Sequence, residues 1–208
     1  MKNANLQWLV KLLPTVGILF FLVFYIYAST LYPGGSQVDR NSDSFSWWGN
    51  YWCDLLRKGA INGMPNVARP YAMASTFSLC FGVGVFYYLF PSHFMMRKFW
   101  RRVIKLLGVT SMLFAFFLFT DKHDIMLSIA GVLGIIALIG TLVALNRNNS
   151  FGLLWIGGIS AFLVVVNNYM YYADTYIEFL PFIQKITTIL VLIWIVGLNL
   201  VYFKSEET

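Results

Sequence analysis

The run IMLSIAGVLGIIALIGTLVAL, residues 125–145, carries no charged side chain. Wound as an α-helix at ~1.5 Å per residue, it is about as long as the ~30 Å hydrocarbon layer of a bilayer. A helix satisfies every backbone N–H and C=O within lipid without having to close a barrel, so the run reads as a transmembrane helix. Outward from it lie the polar cluster Asp121-Lys122-His123-Asp124 on one side and Arg147 on the other, followed by further apolar runs. These cover about residues 12–31, 68–90, 103–120, 151–173 and 180–203. The expectation is an all-α polytopic membrane protein with six transmembrane helices, residues 1–208 forming a single transmembrane domain.

Composition agrees. The 208 residues are 59% hydrophobic and only 12% charged, against ~25% charged in a soluble domain. The formal charge of +6 does not indicate a nucleic-acid partner, because the basic residues flank apolar runs instead of gathering on a soluble face. The run at 12–31 is longer than the ~7–15 residue core of a signal peptide and lacks a small-x-small cleavage site, so it is read as a retained first span. Pro14, Pro70, Pro91 and Pro181 sit near span ends, so no broken helix is signalled. Gly82 with Gly84, Gly131 with Gly134, and Gly157-Gly158 are read as close helix packing. Two cysteines, Cys53 and Cys80, define no disulfide framework.

Loop charges set the expected orientation. With the N-terminus inside, Lys2, Lys11, Arg97, Lys98, Arg101, Arg102, Lys105, Arg147 and Lys204 are cytoplasmic, and Glu206 and Glu207 are the only acids on that side. Asp39, Asp43, Asp54, Asp121, Asp124, Asp174 and Glu178 fall outside. The expected location is the cell inner membrane of a bacterium, multi-pass, with both termini cytoplasmic.

The outer loop, residues 32–67, holds the densest mixture of charge and aromatic rings, SFSWWGNYWCDLLRKGAINGMPNVARP over 44–70 when its exit into the second span is included. Asn50, Asp54, Arg57 and Lys58 recur at helical spacing, with Trp48, Trp52 and Leu55 on a neighbouring stripe. That pattern predicts an amphipathic helix over Ser46 to Lys58 lying at headgroup depth. Other polar residues reach the same face: Asn167, Asn168 and Tyr172 late in the fifth span, His123 opening the fourth, Ser75, Thr76 and Ser78 in the second, and Gln184 and Thr187 in the sixth. Polar groups at membrane depth require partners, and their gathering on one side predicts a shared cavity. The predicted ligand-binding residues are Asn50, Asp54, Arg57, Asn66, Arg69, His123, Asn167 and Asn168, with the tryptophans covering the apolar part. His123 and Asp54 are the candidate catalytic groups. No metal is assigned. A zinc ion needs three or four protein ligands, and His123, Asp54, Asp121, Asp124 and Cys53 are the only nearby donors.

At Asn50-Tyr51-Trp52-Cys53-Asp54-Leu55, with Asn66, Ala68 and later His123, the chain resembles bacterial six-span membrane proteins of the domain-of-unknown-function type. These are distantly akin to the eukaryotic DRAM and Frag membrane proteins. The resemblance implies a fold, not an activity. The stretch is also similar to ceramidase-like integral membrane hydrolases, but two of their three zinc-site histidines have no counterpart. Three functions stay open: a polar cavity that binds a lipid headgroup or other amphipathic molecule, a lipid hydrolase or transferase, and a non-catalytic assembly partner of another membrane protein. Membrane lipids are the expected partner in the first two.

Overall fold

A computed structural model of the chain describes residues 2–94 and 96–204. Glu206 and Glu207 lie outside the described residues, as do the side chains of Lys2 and Lys204. Among the described residues there are six α-helices: α1 Lys2–Thr30, α2 Arg69–Leu89, α3 Lys98–Phe116, α4 His123–Arg147, α5 Phe151–Tyr172 and α6 Leu180–Lys204. All six include stretches long and apolar enough to cross a membrane: Leu9–Thr30, Arg69–His93, Lys98–Phe119, His123–Arg147, Phe151–Tyr172 and Leu180–Tyr202. The chain is therefore a six-helix multi-pass membrane protein. The loop between α1 and α2 shares its face of the bundle with the α3–α4 and α5–α6 turns. The opposite face, here the end face, carries the α2–α3 and α4–α5 turns.

α1 and α2 pack closest. Gly17 and Gly82 meet where the helices cross, and a Cβ on Gly17 would stand 2.8 Å from Gly82 Cα and from Ser78 O. Ser78 Oγ donates to Gly17 O at 3.0 Å, and Ser75 Oγ donates to Phe21 O at 2.9 Å. Small residues let the backbones approach, and the hydroxyls then find acceptors that lipid cannot offer. α1 runs through Pro14 as one helix. Its start is held to α6 by Asn199 Nδ2, which donates to Lys11 O and Thr15 Oγ1, both at 3.0 Å. On the far side Ser111 Oγ donates to Ala130 O at 2.7 Å, joining α3 to α4, and Trp194 Nε1 donates to Leu153 O at 2.7 Å, joining α6 to α5.

α4 and α5 make a wedge. At the end face the tight turn over 148–150 joins them, and a Cβ on Gly157 would come within 2.7 Å of Leu142 Cδ2. Toward the loop face no turn ties the two helices, and a Cβ on Gly131 would meet nothing within 4 Å. The glycine spacings thus divide. Gly82, Gly134 and Gly157 are close-packing positions as expected, whereas Gly131 and Gly158 border open space.

Candidate ligand cavity

The loop over the bundle begins with Gly34 and Gly35 at φ 125° and 81°, values that a side chain would resist. It does not form the amphipathic helix expected over Ser46 to Lys58; its helical content is one 3-10 turn, Trp52–Leu56. The reason lies in the polar residues that suggested the helix. Asn50 and Asp54 bind the loop's own backbone, which gives the chain an alternative to i to i−4 bonding. Asn50 Oδ1 accepts from Ser46 N at 2.8 Å, while its Nδ2 donates to Gly35 O at 2.8 Å and to Asp54 Oδ2 at 3.1 Å. Asp54 Oδ2 also accepts from Tyr51 N at 2.9 Å. Both side chains are buried, at 0% and 1% exposure.

Two further predicted ligand residues are also committed to the loop. Asn66 Nδ2 lies 2.9 Å from Arg57 O, 3.0 Å from Leu55 O and 3.4 Å from Asp54 O, donating to this group of carbonyls, and its Oδ1 accepts from Ala68 N at 3.1 Å. Arg69 Nε donates to Leu56 O at 3.0 Å and its Nη2 to Phe119 O at 3.2 Å. The donors of both therefore satisfy backbone carbonyls of the loop and, through Arg69 Nη2, the Phe119 carbonyl beyond α3. The tryptophans do not cover the cavity either. Trp52 packs on Tyr25 with ring centroids 3.9 Å apart, Trp47 meets Tyr25 and Phe45 edge-on, and Trp48 stacks on Phe182 at 4.5 Å.

Beneath the loop, between it, α4, α5 and the start of α6, lies a hollow of about 1080 Å³. It brings together Asp54, Arg57, His123, Asn167 and Asn168 of the predicted set, and leaves out Asn50, Asn66 and Arg69. Ser75 and Ser78 are spent on α1, and Thr76 on its own helix at Ala72 O. Residues of the hollow that the sequence did not single out as ligands include Gln37, Tyr51 and Tyr171. Their only signal was position on the same face.

The lining changes with depth. Near the loop face all the charged groups gather, Asp54, Arg57, Lys58, Asp121, His123 and Asp124, among apolar Leu118, Phe119 and Leu180; deeper, Leu127, Gly131, Val132, Ile135 and Val164 are aliphatic and Ser128 is the polar exception. From His123 to Ile135 the α4 wall descends about 18 Å, more than half of the hydrocarbon layer. Leu127 and Val132 line it yet are 44% and 61% exposed, so the wedge opens sideways between the helices.

Electrostatics differ across the rim. Burial pushes the Asp54 carboxyl above its ordinary range, and the bonds from Asn50 and Tyr51 N, with Arg57 nearby, only partly offset this. Burial likewise pushes the Cys53 thiol up to about 12, with Asp54 adding to it. Exposed Asp121 goes the other way: Lys58 Nζ donates to its Oδ1 and Oδ2 at 2.8 and 3.1 Å and lowers its pKa. His123 Nδ1 lies 3.1 Å from Asp124 Oδ1. A carboxylate can only accept, so Nδ1 is the donor and, in the neutral ring, Nε2 carries the lone pair. That Nε2 and Asn167 Oδ1 are buried without a hydrogen-bond partner among the described residues. Asn167 Nδ2 is used, donating to Thr187 Oγ1 at 2.6 Å and Leu163 O at 2.8 Å, while Asn168 Nδ2 donates to Val164 O at 2.8 Å. Among the described residues, no three His, Cys, Asp or Glu side chains are grouped to hold a metal ion.

Lys185 is the residue whose role the sequence hid most fully. Placed one turn into α6 and 4% exposed, it donates from Nζ to Asn50 O and, at 3.1 Å, to Pro181 O. Beside it Gln184 Oε1 accepts from Trp52 N at 3.3 Å. Together they fasten the loop to α6 and close the roof of the hollow. A lone basic residue inside an apolar run was the available signal.

The fold and this cavity define a multi-pass helical membrane protein with a side-opening hollow under one face. No protein-family model, curated protein or solved structure matches the chain.

Proposed function

We propose that the protein binds an amphipathic molecule, a lipid headgroup lying under the loop and an apolar chain lying in the wedge between α4 and α5. The observation that carries this is the graded lining, charged and hydrogen-bonding near the loop face and aliphatic below, in a hollow whose side is open at membrane depth. A fully polar ligand leaves the mostly aliphatic lower half unmet, and a plain hydrocarbon leaves the charged groups near the loop face unmet. Its setting, in this reading, is a bacterial inner membrane with the loop face outward, in keeping with the end-face bases Arg97, Lys98, Arg101, Arg102, Lys105 and Arg147. The likeness to six-span proteins distantly akin to DRAM and Frag is compatible with this setting.

Gly131→Phe tests it. A Cβ there meets nothing within 4 Å, so the added ring is expected to enter the wedge. Excluding even two or three methylenes at ~0.8 kcal/mol each lowers lipid affinity by more than about tenfold. Native mass spectrometry of the purified protein reads this directly, and equal lipid retention in the variant and the wild type sinks the proposal.

A second reading has an observation of its own. With Asp124 holding Nδ1, His123 presents a lone pair at Nε2, the arrangement of a general base in a lipid hydrolase or transferase. Phospholipid ester turnover that disappears in His123→Ala would favour it; identical rates in the two proteins would dispose of it.

A further inference from the structure

We infer that the cavity selects a zwitterionic phospholipid, one headgroup bearing both phosphate and ammonium, over an anionic one. This deepens the amphiphile-binding reading and rests on it. Its basis is which of the charges around the hollow are already committed to partners.

Most are. Lys58 and Asp121 form an exposed pair that together adds no net charge to the rim, and Lys185 is buried on two backbone carbonyls. Asp54 accepts from Asn50 and from Tyr51 N. Arg69, outside the lining, is spent on Leu56 and Phe119 carbonyls. Two groups of opposite sign are left. The Arg57 guanidinium donates no hydrogen bond to any described residue, although its charge acts on nearby Asp54, and it lines the loop side of the hollow. Asp124 lines the α4 side, and a single bond from the adjoining imidazole leaves its Oδ2 open. Both lie within electrostatic reach of Cys53 in the same wall.

An uncommitted guanidinium suits a phosphate, for which its planar fork provides paired N–H donors. An uncommitted carboxylate suits an ammonium. The tyrosines reinforce the second half: Tyr51, Tyr171 and Tyr172 line the same hollow, with the Tyr171 and Tyr172 rings 5.3 Å apart and nearly perpendicular. Aromatic faces attract a cation through their quadrupole and offer nothing comparable to an uncharged headgroup. An anionic headgroup such as glycerol phosphate engages Arg57 but faces Asp124 with no charge to meet it. The walls thus match a headgroup of two opposite charges and no net charge.

The test uses the full chain, delipidated in detergent and reconstituted with equal phosphatidylethanolamine and phosphatidylglycerol, the lipids that remain bound being counted by native mass spectrometry. The wild type is expected to retain the ethanolamine lipid about tenfold over the glycerol lipid, the scale of one charge-assisted contact. Asp124→Asn keeps shape and hydrogen bonding while removing charge, so it is expected to bring the ratio close to one without loss of the glycerol lipid. Arg57→Gln is expected to weaken retention of both. Both side chains are exposed, so folding is not at stake, and unchanged thermal unfolding in each variant checks this. A wild-type ratio near one or below, or a ratio unmoved by Asp124→Asn, overturns the zwitterion assignment while leaving the cavity's use for lipid standing. Retention of neither lipid above the level of Gly131→Phe overturns the amphiphile reading and this inference with it.

Discussion

Asn66→Asp replaces one amide nitrogen with oxygen and should unseat the loop. The native Nδ2 has two hydrogens and faces three carbonyl oxygens, of Leu55, Arg57 and Asp54, at 2.9 to 3.4 Å. The substitution keeps the shape and the bond from Ala68 N, but it turns a donor into an acceptor against those oxygens. Two carbonyls lose their partner in a buried setting at ~1–2 kcal/mol each, a total of about 2–4 kcal/mol against loop closure. Cys53 supplies the assay. Closed, its thiol is held at about 12 by burial and reacts slowly; in the open loop it titrates as an ordinary cysteine. In a Cys80→Ala background, where Cys53 is the remaining thiol, maleimide labelling at fixed pH should accelerate roughly 30- to 700-fold, at 1.4 kcal/mol per factor of ten. The sign of the pH effect also follows. The introduced carboxyl is disfavoured when ionised among carbonyls, so its folded pKa lies above the unfolded ~3.9 and closure recovers as pH falls through the folded value, beyond any recovery in the wild type. Labelling that matches the wild type at pH 8, or that shows no added acid recovery, would refute the view of Asn66 as the clasp of the loop.

The other expectations concern the frame and its charges. Gly17→Leu forces a side chain into backbone atoms 2.8 Å away and should cost at least ~1–3 kcal/mol, read as a lower unfolding temperature in detergent, while Gly131→Ala should leave that temperature unchanged. Lys185→Met leaves the Asn50 and Pro181 carbonyls without their donor and should speed Cys53 labelling while the spans stay inserted. Asp54 has a raised folded pKa, so its charge opposes closure at neutral pH and closure strengthens as pH falls through that value; Asp54→Asn should abolish this rise. Asp121 has a lowered one, so its pairing with Lys58 is present above the unfolded ~3.9 and lost as pH falls through the lowered value. Because that pair is exposed on both sides, Asp121→Asn should not change the unfolding temperature measurably at pH 7.

The spans were legible because lipid imposes one rule over whole segments. Twenty uncharged residues need no partner to be read, and the observed bounds differ from the expected ones by only a few residues at most ends. The loop obeyed no such rule. Asn50 and Asp54 stand four apart, the spacing of neighbours on a helix, yet the same spacing also lets an amide bond a carboxylate across a turn. Only the backbone geometry separates the two. Asn66 and Arg69 looked like ligand groups because they are polar beside a membrane, but irregular backbone near lipid must find donors, and those two side chains supply them. His123 and Asn167 were placed on the loop face by their position at span ends, whereas Arg57 was singled out on a helical spacing that the loop does not adopt. Lys185 stands out in the sequence only as a basic residue inside an apolar run, since hydropathy does not reveal that it reaches backward to a carbonyl far earlier in the chain.

That long reach governs the order in which the molecule can be completed. The loop is synthesised directly after the first span, but the groups that latch it, Gln184 and Lys185, arrive with the sixth. Lys58 and Arg69 can meet Asp121 and Phe119 before then, but the fastening to α6 waits until the last hydrophobic segment enters the bilayer. A chain ending before α6 therefore lacks the Gln184 and Lys185 fastenings, and its Cys53 should label faster with maleimide than that of the full chain.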